Sequence, residues 1–210
     1  MPSAETSERP VSAKVVITGG FGVGKTTFVG AVSEIEPLRT EEAMTMESVG
    51  VDDTSRTPDK TATTVAMDFG KLFVEDDLVL YLFGTPGQER FAFMWDDIAG
   101  GALGAVILVD TRRLADSFYA IDYCENRGLA CVVAVNRFDG APDHSRDEVR
   151  VALNIDPDIP MIAIDARRSD DARDALVLLL GHLLSRLGDA SRGTRCPVPD
   201  AGGSPVGAPG

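Results

Sequence analysis

Gly19-Gly20-Phe21-Gly22-Val23-Gly24-Lys25-Thr26 is the stretch on which the reading of this chain turns. It satisfies G-x-x-x-x-G-K-[ST] at every fixed position. The β-branched run Lys14-Val15-Val16-Ile17-Thr18 before it predicts a strand. Thr27-Phe28-Val29-Gly30-Ala31-Val32 after it predicts a helix start, continuing to about Ile35 ahead of Pro37. In that setting the glycines let successive backbone N–H groups turn inward as an anion nest, and the helix adds its free N–H groups and positive dipole end. Gly20, Phe21, Gly22, Val23, Gly24, Lys25, Thr26 and Thr27 are therefore candidate phosphate contacts. Lys25 would reach the β/γ-phosphates as a point charge, and the Thr26 hydroxyl would ligate Mg²⁺.

Composition narrows the partners. The chain has 210 residues, 44% of them hydrophobic, which suits one domain with a full core. Its net charge of −13 argues against nucleic-acid backbones and anionic membranes as direct partners. Cys124, Cys131 and Cys196 have neither the number nor the spacing of a disulfide framework or zinc site, and the first two are expected in the core. Residues 1–13 lack an apolar signal region, and the longest apolar runs, Ala102–Val109 and Ala175–Leu180, are too short to cross a bilayer. A cytoplasmic location without membrane insertion is the expectation.

Outward from the glycine loop, residues 36–63 read as one long polar loop with no aromatic residue. Thr64–Val74 and Leu78–Phe83 read as a hairpin turning at Glu75-Asp76-Asp77. Trp95–Gly100 is a short helix, Ala105–Asp110 and Leu129–Val135 are continuous apolar strands, and Ala115–Arg127 is an amphipathic helix stopped by Gly128. Ser145 caps a helix to about Leu153, Met161–Ile164 is the last strand, and Ser169 caps the final helix, ended by Gly188. Ala172, Ala175, Leu176, Leu179, Leu180, Leu183, Leu184 and Leu187 form that helix's expected core stripe. The alternation predicts an α/β P-loop NTPase fold: a mostly parallel six-stranded sheet, helices on both faces, one antiparallel edge strand. The expected organisation is a disordered segment over 1–13, a nucleotide-binding domain over 14–187 and a flexible Gly/Pro-rich tail over 188–210. Ligands of such sheets sit beyond the carboxyl ends of the strands, where the loops singled out here emerge.

Those loops resemble the Ras-like small GTPases, and within them the GTP-binding proteins of bacterial conservon operons. The resemblance is carried by Leu82-Phe83-Gly84-Thr85-Pro86-Gly87-Gln88, Met94-Trp95-Asp96-Asp97, Val109-Asp110-Thr111-Arg112-Arg113 and Val135-Asn136-Arg137-Phe138-Asp139. It implies a GTP-hydrolysing switch that uses GTP/GDP and Mg²⁺. Asn136-Arg137-Phe138-Asp139 is similar to the family's N-K-x-D, with Asp139 accepting from guanine N1–H and its exocyclic amine, Asn136 tying loops together and the Arg137 stem along the base. Asp165-Ala166-Arg167 stands where the family has S-A-K, the Ala166 N–H facing guanine O6; helix capping explains the same residues. Thr64 matches the threonine that joins Mg²⁺ while the γ-phosphate is present, with Thr63 and Thr61 as alternatives. The Gly87 N–H would read the γ-phosphate, and Gln88 would orient the attacking water. Gln88, Thr64 and Lys25 are thus the candidate catalytic residues, and Thr26 and Thr64 the candidate metal ligands.

The chain also departs from the family at Gly84 and Phe21. Gly84 replaces the Asp that holds the Mg²⁺ shell through water, so weaker Mg²⁺ binding and slow unassisted hydrolysis are expected. Phe21 replaces a glycine that an arginine finger passes closely; Arg56 and Arg90 are candidates for a finger in cis, against solvated surface arginines. Partners implied by the resemblance are a roadblock-type regulator and a histidine-kinase-like membrane protein, through which association with a membrane would be peripheral. Two other readings stand beside the switch: a GTP-binding scaffold with negligible hydrolysis, and a P-loop ATPase or kinase in which Asn136–Asp139 is coincidental.

Overall fold

Apolar alternation explains the architecture. In the computed structural model, which describes residues 10–44, 63–74, 77–87 and 89–193, a central strand β1 (Val11–Gly19) is flanked by β4 (Leu78–Gly84) and β5 (Gly104–Val109). Both neighbours run parallel to it. β6 (Cys131–Asn136) and β7 (Met161–Ile164) extend the parallel side. On the other side β3 (Thr63–Val74) runs antiparallel to β4, and β2 (Leu38–Met44) antiparallel to β3. The order is β2-β3-β4-β1-β5-β6-β7.

Successive strand residues feed opposite faces. Val15, Ile17, Val106, Leu108, Val132 and Ala134 pack on one side with Phe28 and Val29 of α1 (Lys25–Val32) and Leu176 and Leu179 of α5 (Ser169–Gly193). Val16, Ala105, Ile107, Val109, Val133 and Val135 pack on the other. That face is closed by Trp95 and Ile98 of α2 (Trp95–Ala99), Ile121 and Cys124 of α3 (Phe118–Asn126) and Val149 of α4 (Arg146–Ala152). Cys124 and Cys131 are buried free thiols, as expected of small core residues.

The fold class is the expected one, with differences of detail. The sheet has seven strands rather than six, because β2 lies within the stretch read as a loop. The antiparallel strand is consequently one in from the edge. Leu38-Arg39-Thr40-Glu41-Glu42-Ala43-Met44 lacks apolar alternation, as suits an edge strand held by backbone pairing on one side. The helix expected from Ala115 begins instead as a 3₁₀ turn, Thr111–Ser117, with Arg113 off helical geometry at φ −145°, ψ 57°. The Asp110 carboxylate draws the chain there, accepting from the Arg112 backbone N–H at 2.9 Å and from its guanidinium at 2.9 and 2.7 Å.

Gly188 does not end α5, which continues to Gly193. One exposed glycine costs a helix only about 1 kcal/mol relative to alanine. At 25 residues the helix is about 37 Å long and outruns the strands beneath it. Leu184 and Leu187 are therefore 70% and 64% exposed instead of joining the core stripe. Among the described residues no helix is long and apolar enough to cross a membrane.

One glycine reports how tightly α1 sits on the sheet. A Cβ on Gly70 of β3 would lie 2.7 Å from Val29 Cγ1 and 3.1 Å from Ser33 Cβ. Gly70→Ala is expected to destabilise the protein by about 1–3 kcal/mol through overpacking. A urea midpoint unchanged from wild type would show that α1 can retreat freely.

Candidate functional site

The glycine loop leaves the carboxyl end of β1 and enters α1. Its conformation needs glycine most clearly at Gly24, where φ is +104° and a Cβ would sit 2.7 Å from Asn136 Nδ2. Lys25 folds back over the loop, its Nζ donating to the Gly19 and Gly20 carbonyls at 2.8 and 2.7 Å. The side chain is buried, which lowers its pKa to about 8 against the opposing pull of Asp68. Phe21, Gly22, Gly24, Lys25, Thr26, Thr27, Asp68, Thr85 and Gly87 line one cleft of about 300 Å³. Phe21 is 61% exposed.

The loop after β4 is fastened to this cleft. Thr85 donates its N–H to the Ile17 carbonyl at 2.9 Å and its hydroxyl to Thr18 Oγ1 at 3.0 Å, and Trp95 Nε1 holds the Pro86 carbonyl at 3.2 Å. Gly87 packs so closely that a Cβ would fall 2.6 Å from Lys25 Nζ and 2.8 Å from Phe21 Cα. Gln88, Thr61 and Arg56 lie outside the described residues. Thr64 falls in β3 opposite Ala43, in a part of the strand where side chains are described only from Met67 onward, and Arg90 lies in the 3₁₀ turn Glu89–Met94.

Asn136 connects the two ends of the site. Its Nδ2 donates to the Val23 carbonyl at 2.9 Å, and its Oδ1 accepts from the Ala166 N–H at 3.0 Å. The glycine loop, the end of β6 and the loop after β7 are thereby joined through one buried amide. The Ala166 N–H, expected to face a base carbonyl, is committed to Asn136 instead. Arg137 is exposed, its N–H bonded to the Ile164 carbonyl at 2.8 Å. Asp139 and Asp165 both grip Arg167: its Nη1 donates to Asp139 Oδ2 at 3.0 Å, its Nε and Nη2 to Asp165 at 2.8 and 2.7 Å. The guanidinium holds the Asp139 carboxyl below the usual carboxylate range and Asp165 at about 2.

Three contacts were not foreseen from the sequence. Thr26 Oγ1 donates to Asp68 Oδ2 of β3 at 2.7 Å. Arg113 Nη2 donates to the Phe21 carbonyl at 2.6 Å, making it the arginine brought to the glycine loop among the described residues. The Arg112 guanidinium lies 3.9 Å from the Phe138 ring centroid, stacking on the segment that carries Asp139. Asp68 reads in sequence only as one acid within the strand that follows Thr64. The two arginines follow from the Asp110 turn, which a helical reading of Ala115–Arg127 begins beyond. A larger cleft of about 720 Å³ lies among Cys124, Cys131, Asp156, His182 and Arg186 and contains none of the motif residues.

A family profile described as "conserved hypothetical ATP binding protein" matches residues 17–185. The chain belongs to that family. Among curated proteins, an uncharacterized protein of Methanocaldococcus jannaschii, MJ1339, is 33% identical over 128 residues, covering 60% of this chain and 70% of its own. Human Ras-related protein Rab-7b is 26% identical over 190 residues, 85% of each chain. Among solved structures, the G domain of the T. maritima FeoB iron transporter aligns with a TM-score of 0.55 at 17% identity, over 84% of this chain and 99% of that domain. The transporter's cytosolic domain in a GDP form aligns at 0.59 and 15% identity, over 84% of this chain and 65% of that one. The fold of this family member is thus the G-domain type of P-loop fold.

Proposed function

We propose that this protein is a GTP-binding and GTP-hydrolysing switch of the small Ras-like type, of the kind found in conservon operons. The observation that carries the reading is the Asn136 bridge, which couples the phosphate end at Val23 to the base end at Ala166 with Asp139 three residues along the same loop. Similarity to Rab-7b, to a G domain and to a transporter cytosolic domain solved in a GDP form supports it.

In this reading Lys25 turns from the Gly19 and Gly20 carbonyls onto the β/γ-phosphates, and the N–H groups of Gly22 to Thr27 close around them. Gly87 reads the γ-phosphate, Gln88 orients the attacking water, and Thr64 reports the triphosphate to the switch loops. Asn136, Arg137 and Asp139 hold guanine, with Asp165, Ala166 and Arg167 shaping the far wall.

The residues fit Mg²⁺. Thr26 and Asp68 offer hard oxygen donors at one point of the cleft. Among the described residues no group of three or more His, Cys, Asp or Glu forms an all-protein cage, and a magnesium site completed by nucleotide phosphates needs none. When bound, the ion would neutralise charge building on the β/γ-phosphates; Thr26 and, in the triphosphate state, Thr64 would hold it. Roadblock-type and histidine-kinase-like partners complete the proposal, on the strength of the resemblance alone.

The family's description names ATP, and an ATP-binding reading is the competitor. Identifying the nucleotide that co-purifies, competing GTP against ATP, and timing phosphate release separates the readings. The expected result is bound guanine nucleotide, discrimination against ATP and turnover no faster than about 10⁻⁴ per second without a partner. A preference for ATP would overturn the guanine assignment. Tight GTP binding with no phosphate release over many hours, with or without added partners, would leave a scaffold.

A further inference from the structure

Position 84 lacks the acid that the resemblance leads one to expect in a magnesium shell, and the structure contains a carboxylate beside the gap. Asp68 on β3 stands directly opposite Gly84 on β4 in the antiparallel register. A Cβ built on Gly84 would lie 3.0 Å from Asp68 Cβ and 3.2 Å from Asp68 Oδ2. The Asp68 side chain thus occupies the space into which a residue at 84 would grow, and the two positions cannot both carry an acid without rearrangement. Asp68 is nearly buried, at 9% exposure, and accepts from the Thr26 hydroxyl at 2.7 Å.

We infer that the acidic member of the Mg²⁺ shell has moved across the β3–β4 ladder, from position 84 to Asp68. The inference rests on the nucleotide-switch reading and gives Asp68 the specific place in its metal shell that position 84 leaves vacant. Burying a carboxylate is costly unless it is paired, and a cation held between it and nucleotide phosphates supplies the pairing. The Thr26 contact is compatible with this. A hydroxyl can bind a cation through oxygen while donating its proton to a neighbouring carboxylate. Asp68 then both aims the Thr26 oxygen and contributes negative charge, as outer partners of metal ligands do. Gly84 is, in this account, the complement of Asp68: its missing side chain makes room for the relocated acid.

The test measures release of a fluorescent GDP analogue with Mg²⁺ and after chelation, and Mn²⁺ affinity of the GDP complex by electron paramagnetic resonance. Wild type should release GDP about tenfold or more faster once Mg²⁺ is removed. Asp68→Asn should need about 10–100-fold more Mg²⁺ than wild type to slow release to the same rate, and should bind Mn²⁺ about 10–100-fold more weakly. Its GDP affinity in chelator should not fall below wild type, because no metal contribution is left to lose and the substitution removes a negative charge from the cleft that Lys25 shares. The exchange Asp68→Gly with Gly84→Asp should restore the Mg²⁺ response, since it returns a carboxylate to the other side of the same register pair. Asp68→Asn that retains a wild-type Mg²⁺ response overturns the relocation and leaves the switch reading intact. Wild type that binds no guanine nucleotide overturns both. If Asp68→Asn does not fold, the exchange variant decides alone: a regained response supports the relocation, and absence of one in a folded variant overturns it.

Discussion

Lys25→Ala is expected to weaken nucleotide binding by about 100- to 4,000-fold, the largest effect of any single change in the phosphate cleft. Removing one partner from a buried charge pair costs about 3–5 kcal/mol, and every 1.4 kcal/mol is about a factor of ten in Kd. The buried Lys25 ammonium rests on the Gly19 and Gly20 carbonyls, and the pull of Asp68 only partly offsets the cost of burying its charge. A phosphate supplies a further, closer countercharge. The same burial makes the interaction pH-dependent, with a definite sign. The free protein's Lys25 loses its proton as pH rises through about 8, whereas a phosphate partner would hold that proton on. Binding above pH 8 therefore takes up a proton, and affinity should fall with rising pH, by up to about tenfold per unit. Lys25→Arg should flatten that fall, because guanidinium does not titrate in this range. Fluorescence titrations of a labelled guanine nucleotide between pH 7 and 9.5 check both points. Undiminished affinity in Lys25→Ala would mean the phosphates lie elsewhere.

Local pattern was a good guide wherever residues act through spacing along the chain. The glycine loop, the two-faced strands β5 and β6 and the helix capped by Ser145 all lie where periodicity or motif puts them. What escaped was decided across the chain. β2 exists because β3 offers an edge, and its own residues carry no alternation to announce it. The Thr111–Ser117 turn departs from helix because one carboxylate, Asp110, captures Arg112 through both backbone and side chain. Asp68 reads in sequence as one acid within a strand; its proximity to Thr26 and Gly84 depends on a register between β3 and β4 that no local rule specifies. Asp139 and Arg167, 28 residues apart, likewise meet only because β6 and β7 are neighbours. The motif residues could be named from sequence, but the groups that orient them could not.

Asp139→Asn is expected to exchange guanine for xanthine preference, lowering affinity for GTP by at least about a hundredfold. Guanine presents two donors on one edge, N1–H and the exocyclic amine, and a carboxylate accepts both. Asparagine keeps one acceptor and replaces the other with an N–H₂ donor, which opposes the amine of guanine but suits the C2 carbonyl of xanthine. Sites built to hydrogen-bond a polar group reject the mismatched analogue by several orders of magnitude, because buried donors are left unpaired. The structure makes this substitution a clean one. The Asp139 side chain is 86% exposed, and its pairing with Arg167 is a solvent-screened surface contact that contributes little to stability. Arg167 keeps its two bonds to Asp165 when Asp139 is neutralised, so no lone guanidinium is stranded. Asp139→Asn should therefore unfold at a temperature close to wild type while its base preference inverts. Competition between GTP and xanthosine triphosphate for a labelled nucleotide reads the inversion directly. Unchanged guanine preference in a variant of wild-type stability would show that Asp139 belongs to the Arg167 surface pair alone and that the base is read elsewhere.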